Sequence, residues 1–260
     1  MPLEEFVVMV DLQKASMWKR VAAWMLDIIL ITILATGVGV LLSSVMKYDD
    51  YVEELNQTYA RYEAEYGVKF NLSQEEYDAM TQEELAIYEN AYEALTKDEK
   101  MNATYNMVVH QTLLMVSLGI LVSVLLLEFV VPLLLKNGQT IGKKAFGIGL
   151  MRTDYVKVNT MQLFVRAILG KYTIEIMFPV YLMLLSFLGA LGLVGTLVVA
   201  GLLLTEIILL AATRNNSQIH DILAGTVVID LTSQKIFESQ EARTEYSKRI
   251  HADMVAKKEY

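Results

Sequence analysis

The stretch that decides the fold is residues 21–46, VAAWMLDIILITILATGVGVLLSSVM, in which Asp27 is the single charged side chain. A helix needs about 20 apolar residues to cross a bilayer, and two further apolar stretches of at least that length follow at residues 107–135 and 176–212. Apolar residues make up 54% of the 260-residue chain, which is above the roughly 45–50% of soluble domains. The sequence therefore predicts an all-α membrane protein.

The third stretch, residues 176–212, is too long for one span unless it is strongly tilted, and it is just long enough for two short ones. Gly189, Gly192 and Gly195 lie near its middle, where a tight turn is expected. We therefore expect a hairpin of two spans there and a bundle of four membrane helices in all. Three spans, with the C-terminal tail on the other side of the membrane, is the alternative.

The charges around the spans predict their orientation, because cytoplasmic loops are enriched in Lys and Arg. The N-terminal segment 1–20 is basic next to the first span, and loop 136–175 carries seven basic and two acidic residues. We expect both, together with the tail 213–260, in the cytoplasm, so that the chain lies in a bacterial cytoplasmic membrane with both termini inside. Residues 47–104 then lie outside, with five basic and 15 acidic residues.

The outer segment 47–104 is predicted to be a folded helical insert. Ser73, Thr81 and Thr96 each stand three residues before a Glu, a spacing typical of a capping box at the start of a helix. Gly67 is a typical C-terminal stop for the helix before them. The acidic surface is most simply a solvated face, and a protein partner bound to it is the further hypothesis.

Loop 136–175 and the tail both contain short runs with the residue pattern of β-strands, which predicts a small cytoplasmic β element. Residues 147–151 and 155–158 resemble two short strands around a turn, and residues 226–231 form a third strand-like run. A short amphipathic helix is expected over residues 159–170. Two basic side chains are expected at the membrane surface beside it, namely Arg166 and Lys171.

Motifs of soluble enzymes are absent from the sequence. The chain has no cysteine, which excludes disulfides and thiolate metal sites, and it contains no P-loop, G-x-G-x-x-G or H-E-x-x-H pattern. We therefore expect no enzymatic activity, no cofactor, no structural metal and no nucleic-acid partner. Lys143 and Lys144 are expected to meet lipid headgroups.

Three carboxylates inside the apolar stretches are the candidate ion- or proton-binding residues: Asp27, Glu128 and Glu206. Each lies about seven residues from the cytoplasmic end of its span, which at 1.5 Å per residue is roughly 10 Å deep. A charged group at such a depth costs about 2.5–3.5 kcal/mol and usually faces the bundle interior. The three either bind a cation or proton together, or merely hydrogen-bond between helices.

Three further polar residues stand at the cytoplasmic ends of the spans. Arg20 lies seven residues before Asp27 on the same helix face and is expected to tune that carboxylate. His220 and Asp221 follow the last span, where a titrating histidine would suit a gate. A cap or ion pair that holds the tail against the bundle is the structural alternative.

Three segments of the chain are distinctive in this order: residues 18–20 (WKR) with Asp27, residues 138–147 (GQTIGKKAFG) and residues 218–228 (QIHDILAGTVV). Together they resemble the RDD family of bacterial membrane proteins. The resemblance covers the region 15–231 except the insert, and it maps the arginine and two aspartates of the family name onto Arg20, Asp27 and Asp221. It implies a multi-pass membrane fold, and some members of the family resemble sodium/proton antiporters.

Two functions follow as hypotheses. The first is a transporter that exchanges a monovalent cation, Na⁺ being the candidate, for protons through Asp27, Glu128 and Glu206. Because four spans are few for a monomeric transporter, a homo-oligomer is expected. The second is a non-transporting scaffold or assembly factor that binds a protein partner through the insert. A membrane enzyme acting on lipid has less support, since no nucleophile–base pair is evident.

Overall fold

The structure of the chain is a computed structural model that describes residues 12–187 and 191–258. In chain order its elements are α1 (Met17–Met46), α2 (Tyr48–Tyr66), α3 (Gln74–Asp78), α4 (Gln82–Lys97), α5 (Glu99–Leu134), α6 (Ile141–Ala145), β1 (Ile148–Arg152), α7 (Thr160–Ser186), α8 (Gly192–Ala212), α9 (Ile219–Ala224), β2 (Thr226–Asp230) and α10 (Gln240–Lys258). Among the described residues, α1, α5, α7 and α8 are long and apolar enough to cross a membrane. The predicted all-α membrane fold with four spans and a small β element is confirmed.

The described chain divides into two compact units. Ala35–Gly119 form one, here called the insert unit, and the remaining described residues form the other, here called the main unit. The insert unit is helical, as the sequence predicted. Its helix α2 is separated from α1 by Lys47, whose φ of 53° breaks the helical path, and it ends at Gly67 with a φ of 70°.

Helix caps in the insert unit agree with the sequence at two of three positions. Ser73 and Thr81 each form a capping box with the Glu three residues later, at the starts of α3 and α4. At the third position Asp98 replaces Thr96 as the cap, because its Oδ1 accepts the backbone N–H groups of Lys100 and Met101 at 2.9 and 3.0 Å. The carboxylate also interacts favourably with the positive end of the helix dipole at the start of α5.

The main unit contains an antiparallel pair of strands, β1 and β2, in which Ile148 lies opposite Asp230. Both faces are buried, as with Leu150 and Val228 on one side and Met151 on the other. The sequence placed a second strand at 155–158, but there Val156 forms only an isolated bridge to Phe237. The partner of β1 comes from the far end of the chain because the two apolar runs bury each other.

Helix α7 differs from the sequence prediction at its start. Asn159 forms a capping box at its N-terminus, and the helix runs on without a break from Thr160 into the apolar stretch. The predicted amphipathic helix and the third span are therefore one helix, and the boundary predicted at residue 176 does not exist. Charged residues assigned to the membrane surface lie inside this span-length helix.

Two of the long helices contain π-helical segments, Leu125–Val130 in α5 and Val165–Met177 in α7. At the other end of the predicted hairpin, Gly192 has a φ of 50° and begins α8. Some predicted features lie outside the described residues, namely residues 1–11 of the N-terminal segment, Gly189 of the turn and residues 259–260 of the tail.

Candidate functional site

The main unit brings ionisable side chains from five helices together in one buried polar cluster. Its members are Arg20, Asp27, Glu128, Lys143, Arg166, Lys171, Glu175, His220 and Asp221, with the hydroxyls of Thr140 and Thr226. Since a buried charge is tolerated only when it is paired and hydrogen-bonded, the partner of each charge defines what the cluster can do.

Asp27 of α1 is held by the start of α6. Thr140 Oγ1 donates to Asp27 Oδ2 at 2.5 Å, and the backbone N–H of Gly142 donates to Oδ1 at 2.8 Å. Residue 142 must be Gly, because a Cβ there would lie 2.2 Å from the carbonyl oxygen of Ala23. The Gly142 segment therefore presses directly on α1, and both oxygens of Asp27 are occupied.

Asp221 of α9 joins two arginines. Arg166 donates to its Oδ1 and to Thr226 Oγ1, and Arg20 Nη2 donates to its Oδ2 at 3.3 Å. Burial alone would raise the pKa of Asp221, but Arg166 and then Arg20 outweigh it and hold that pKa below its usual value. From the sequence we predicted that Arg20 acts on the carboxylate of Asp27. In the structure Arg20 pairs with Asp221 instead.

Glu128 and Lys171 form an ion pair between α5 and α7, with Lys171 Nζ 2.5 Å from Glu128 Oε1. Lys143 lies beside this pair and is buried, so it does not meet lipid headgroups as the sequence suggested; Lys144, the next residue, is exposed. Burial and the nearby Lys171 lower the pKa of Lys143 to about 8. Lys143 is thus a cation kept out of water by its neighbours.

His220 connects α9 to Glu175 of α7. Its Nδ1 lies 2.6 and 2.8 Å from the two oxygens of Glu175, and its backbone N–H donates to the same carboxyl group at 3.0 Å. Burial, followed by the field of Arg166 and Lys171, lowers the pKa of His220 well below its usual value. This shift favours the neutral form of the ring, and the tautomer decides whether Nδ1 donates to Glu175 or accepts from it.

Glu206 of α8 lies next to Glu175 and near the backbone N–H of Ile219. Both of its carboxylate oxygens are buried, and neither accepts a well-formed hydrogen bond from a described residue. Among the three predicted carboxylates, it is the one whose bonding capacity is left open. Asp27 and Glu128 already have donors, so the three do not form one equivalent set.

Sequence reasoning did not select several residues that the cluster uses. Thr140 and Glu175 were not singled out, and Arg166 and Lys171 were placed at the membrane surface. The sequence did contain one indication that Arg166 and Lys171 belong to the third span: no proline occurs between the cap at Asn159 and position 179. Such a run permits one helix that carries these charges into the bundle.

A cavity of about 30 Å³ opens inside the cluster. Its charged and titratable lining is Arg20, Asp27, Lys143, Arg166, Lys171 and His220. A buried water needs about 10–15 Å³ of such space, so the cavity admits one or two particles of that size. The cluster therefore contains a small polar cavity and is not completely filled by side chains.

Comparison with known proteins supports the resemblance found in the sequence. No curated protein and no solved structure matches the chain. The family model described as the RDD family matches residues 14–225, which is most of the chain. That region contains Arg20, Asp27 and Asp221, each buried in the cluster. The chain belongs to the RDD family.

Proposed function

We propose that this chain exchanges a monovalent cation, with Na⁺ as the candidate, for protons, and that the carboxyl pair of Glu175 and Glu206 is the exchanging site. The observation that carries the proposal is the open bonding capacity of Glu206 beside a second carboxyl group. Two carboxyl groups held close together bind a single proton more readily than they bear two charges. A small cation relieves the same repulsion, so the two ligands compete.

The proposal assigns different work to the other two predicted carboxylates. Asp27 is saturated by Thr140 and Gly142, and Glu128 is paired with Lys171. In this scheme they hold helices in place, and the proton reaches Glu206 through His220 and Glu175. His220 is suited to that relay because its ring nitrogen and a carboxylate oxygen are within hydrogen-bond distance.

We further propose a bacterial cytoplasmic membrane as the location, with both termini in the cytoplasm and a homo-oligomer as the working form. The Lys and Arg residues of segments 136–157 and 213–260, which lie outside the four span-length helices, support this orientation. The same orientation places the sheet, α9 and the proton entrance at His220 on the cytoplasmic side.

The experiment is proton flux in proteoliposomes, followed with a pH-sensitive dye under imposed sodium, potassium or lithium gradients. We expect Glu206→Gln to lose cation-dependent flux, because an amide neither ionises nor takes up a proton. The matched control is Glu89→Gln, an exposed residue of α4, which keeps wild-type flux. Wild-type exchange by folded Glu206→Gln protein at equal density would refute the proposed site.

A second candidate function is a scaffold that binds a protein through the insert unit. It is favoured by the aromatic cluster around Phe70, which packs against Tyr88 and Tyr92 while Tyr77 and Tyr92 keep exposed surface. Aromatic side chains with exposed faces are common at protein interfaces. The absence of flux from well-folded wild-type protein would favour this candidate.

A further inference from the structure

The cavity inside the buried polar cluster has a strongly one-sided lining. Four cationic side chains face it, and the single lining carboxylate is Asp27. Two carboxylates behind the cavity pair with three of the cations: Asp221 accepts from both Arg20 and Arg166, and Glu128 accepts from Lys171. The fourth cation is Lys143, and its compensation is incomplete.

Lys143 has spare capacity as a donor. Its Nζ carries three hydrogens, but among described residues it hydrogen-bonds only to Thr140 Oγ1, at 3.3 Å. Its nearest carboxylate oxygen, on Asp27, is 3.9 Å away and already accepts a hydrogen bond from Thr140. A buried ammonium group in this situation favours an additional negative ligand.

A second donor position in the lining is also without a partner. His220 is 1% exposed, and its Nε2 forms no hydrogen bond to a described residue. The nearest carboxylate oxygen to Nε2 belongs to Asp221 at 3.8 Å, beyond hydrogen-bond range. When Nδ1 of the neutral ring accepts a hydrogen bond from the protonated carboxyl group of Glu175, the ring carries its hydrogen on Nε2, which is then a donor.

We propose that this cavity binds a small inorganic monoanion of the size of chloride, held by Lys143 with His220 Nε2 as a second donor. The volume of about 30 Å³ suits a monatomic ion slightly larger than water. The anion supplies the negative charge that Lys143 lacks. The inference concerns binding and does not depend on the cation–proton exchange proposed above.

The test uses bromide as the probe and full-length protein in detergent. Thermal unfolding is followed while sodium bromide replaces sodium gluconate at constant ionic strength, since a ligand that binds only the folded state raises the melting temperature. We expect a saturable rise for the wild type. In Lys143→Gln the apparent Kd for bromide should increase about tenfold or more, because a charge-assisted hydrogen bond is lost.

Lys144→Gln is the matched control, because it removes the same charge from the neighbouring, exposed lysine. It should keep the wild-type bromide response, and Glu206→Gln should keep it too even if that variant loses flux. An equal saturable response in Lys143→Gln and Lys144→Gln, or no saturable response in the wild type, would overturn the proposal.

The wild type alone provides a second test that does not require Lys143→Gln to fold. Lys143 shares the cavity with Arg20, Asp27, Arg166, Lys171 and His220 and lies beside Glu128, and its pKa in their midst is about 8. Bromide affinity should therefore fall as the pH rises through about 8, where this ammonium loses its proton. An affinity that stays constant across that range would contradict the assignment of Lys143.

Discussion

Asp221 is the carboxylate on which two arginines from different helices depend. It is fully buried and accepts from both Arg20 and Arg166. The backbone N–H of Gln218 also donates to it, at 3.2 Å. Because the two guanidinium groups are buried as well, removing the carboxylate leaves two cations without compensation. The ion pairs of Asp221 add little net stability, but removing the carboxylate destabilises the fold strongly, because it leaves buried charges unpaired.

We predict that Asp221→Asn lowers the free energy of unfolding by about 3–5 kcal/mol, as is usual when one partner of a buried ion pair is removed. Unfolding of the purified protein in detergent, followed by circular dichroism, measures the change. The control is Asp230→Asn, because Asp230 is partly exposed and pairs with Lys19 at 2.6 Å; it should cost about 1 kcal/mol or less. Similar losses in the two variants would count against this role.

At the scale of elements, the π-helical segment of α7 decides which charges face the cluster. Lys171 and Glu175 lie five and nine positions after Arg166. In an α-helix with about 3.6 residues per turn, such positions fall on different faces. Hydrogen bonds from i to i+5 widen each turn and bring the three closer to one face. Arg166, Gly170 and Lys171 of this segment are buried, and Gly170 packs against His220 of α9.

Close packing of α7 and α9 depends on Gly170, where a Cβ would lie 2.4 Å from the Cβ of His220 and 2.7 Å from its Cα. We predict that Gly170→Ala destabilises the protein by about 1–3 kcal/mol, because the backbone must shift to admit the methyl group. The melting temperature in detergent measures this. Gly201→Ala in α8 is the control, since nothing lies within 4 Å of a Cβ there. Equal melting temperatures for both variants would show that α9 moves freely.

At the scale of the whole molecule, every residue of the buried polar cluster belongs to the main unit. Within the insert unit, α1 and α5 contact each other directly, through residues that lie outside the segment that connects them. Gln111 donates to the carbonyl oxygen of Met46 at 3.2 Å, and a Cβ at Gly119 would lie 2.9 Å from the carbonyl oxygen of Ala35. The two spans can therefore remain packed when the segment between them is shortened.

We predict that replacing residues 48–98 with a short flexible linker leaves cation-dependent proton flux unchanged, because no cluster residue is removed. Flux in proteoliposomes is measured together with the proteins that co-purify with each form. Loss of a co-purifying protein with flux intact assigns binding to the insert and transport to the main unit. Loss of flux from a folded shortened protein would contradict this division.

The sequence alone indicated the apolar stretches that form the four spans and several helix ends, although it began the third span at residue 176 and not at Thr160. A bilayer demands long apolar segments, so hydropathy along the chain reveals them, and caps such as Ser73 and Thr81 involve residues only three positions apart. The three segments that resemble the RDD family also pointed to Arg20, Asp27 and Asp221. In each case the information is local, or it is a pattern read directly from the chain.

Only the tertiary structure decided which charge meets which partner. Arg20 bonds to Asp221 at a separation of 201 residues, and Asp27 bonds to Gly142 at 115. No periodicity encodes such pairs, because they arise from how helices pack and where π-helical turns rotate a side chain. Burial then forces every charge to find a partner. The same packing put Lys143 inside the cluster rather than at the lipid surface.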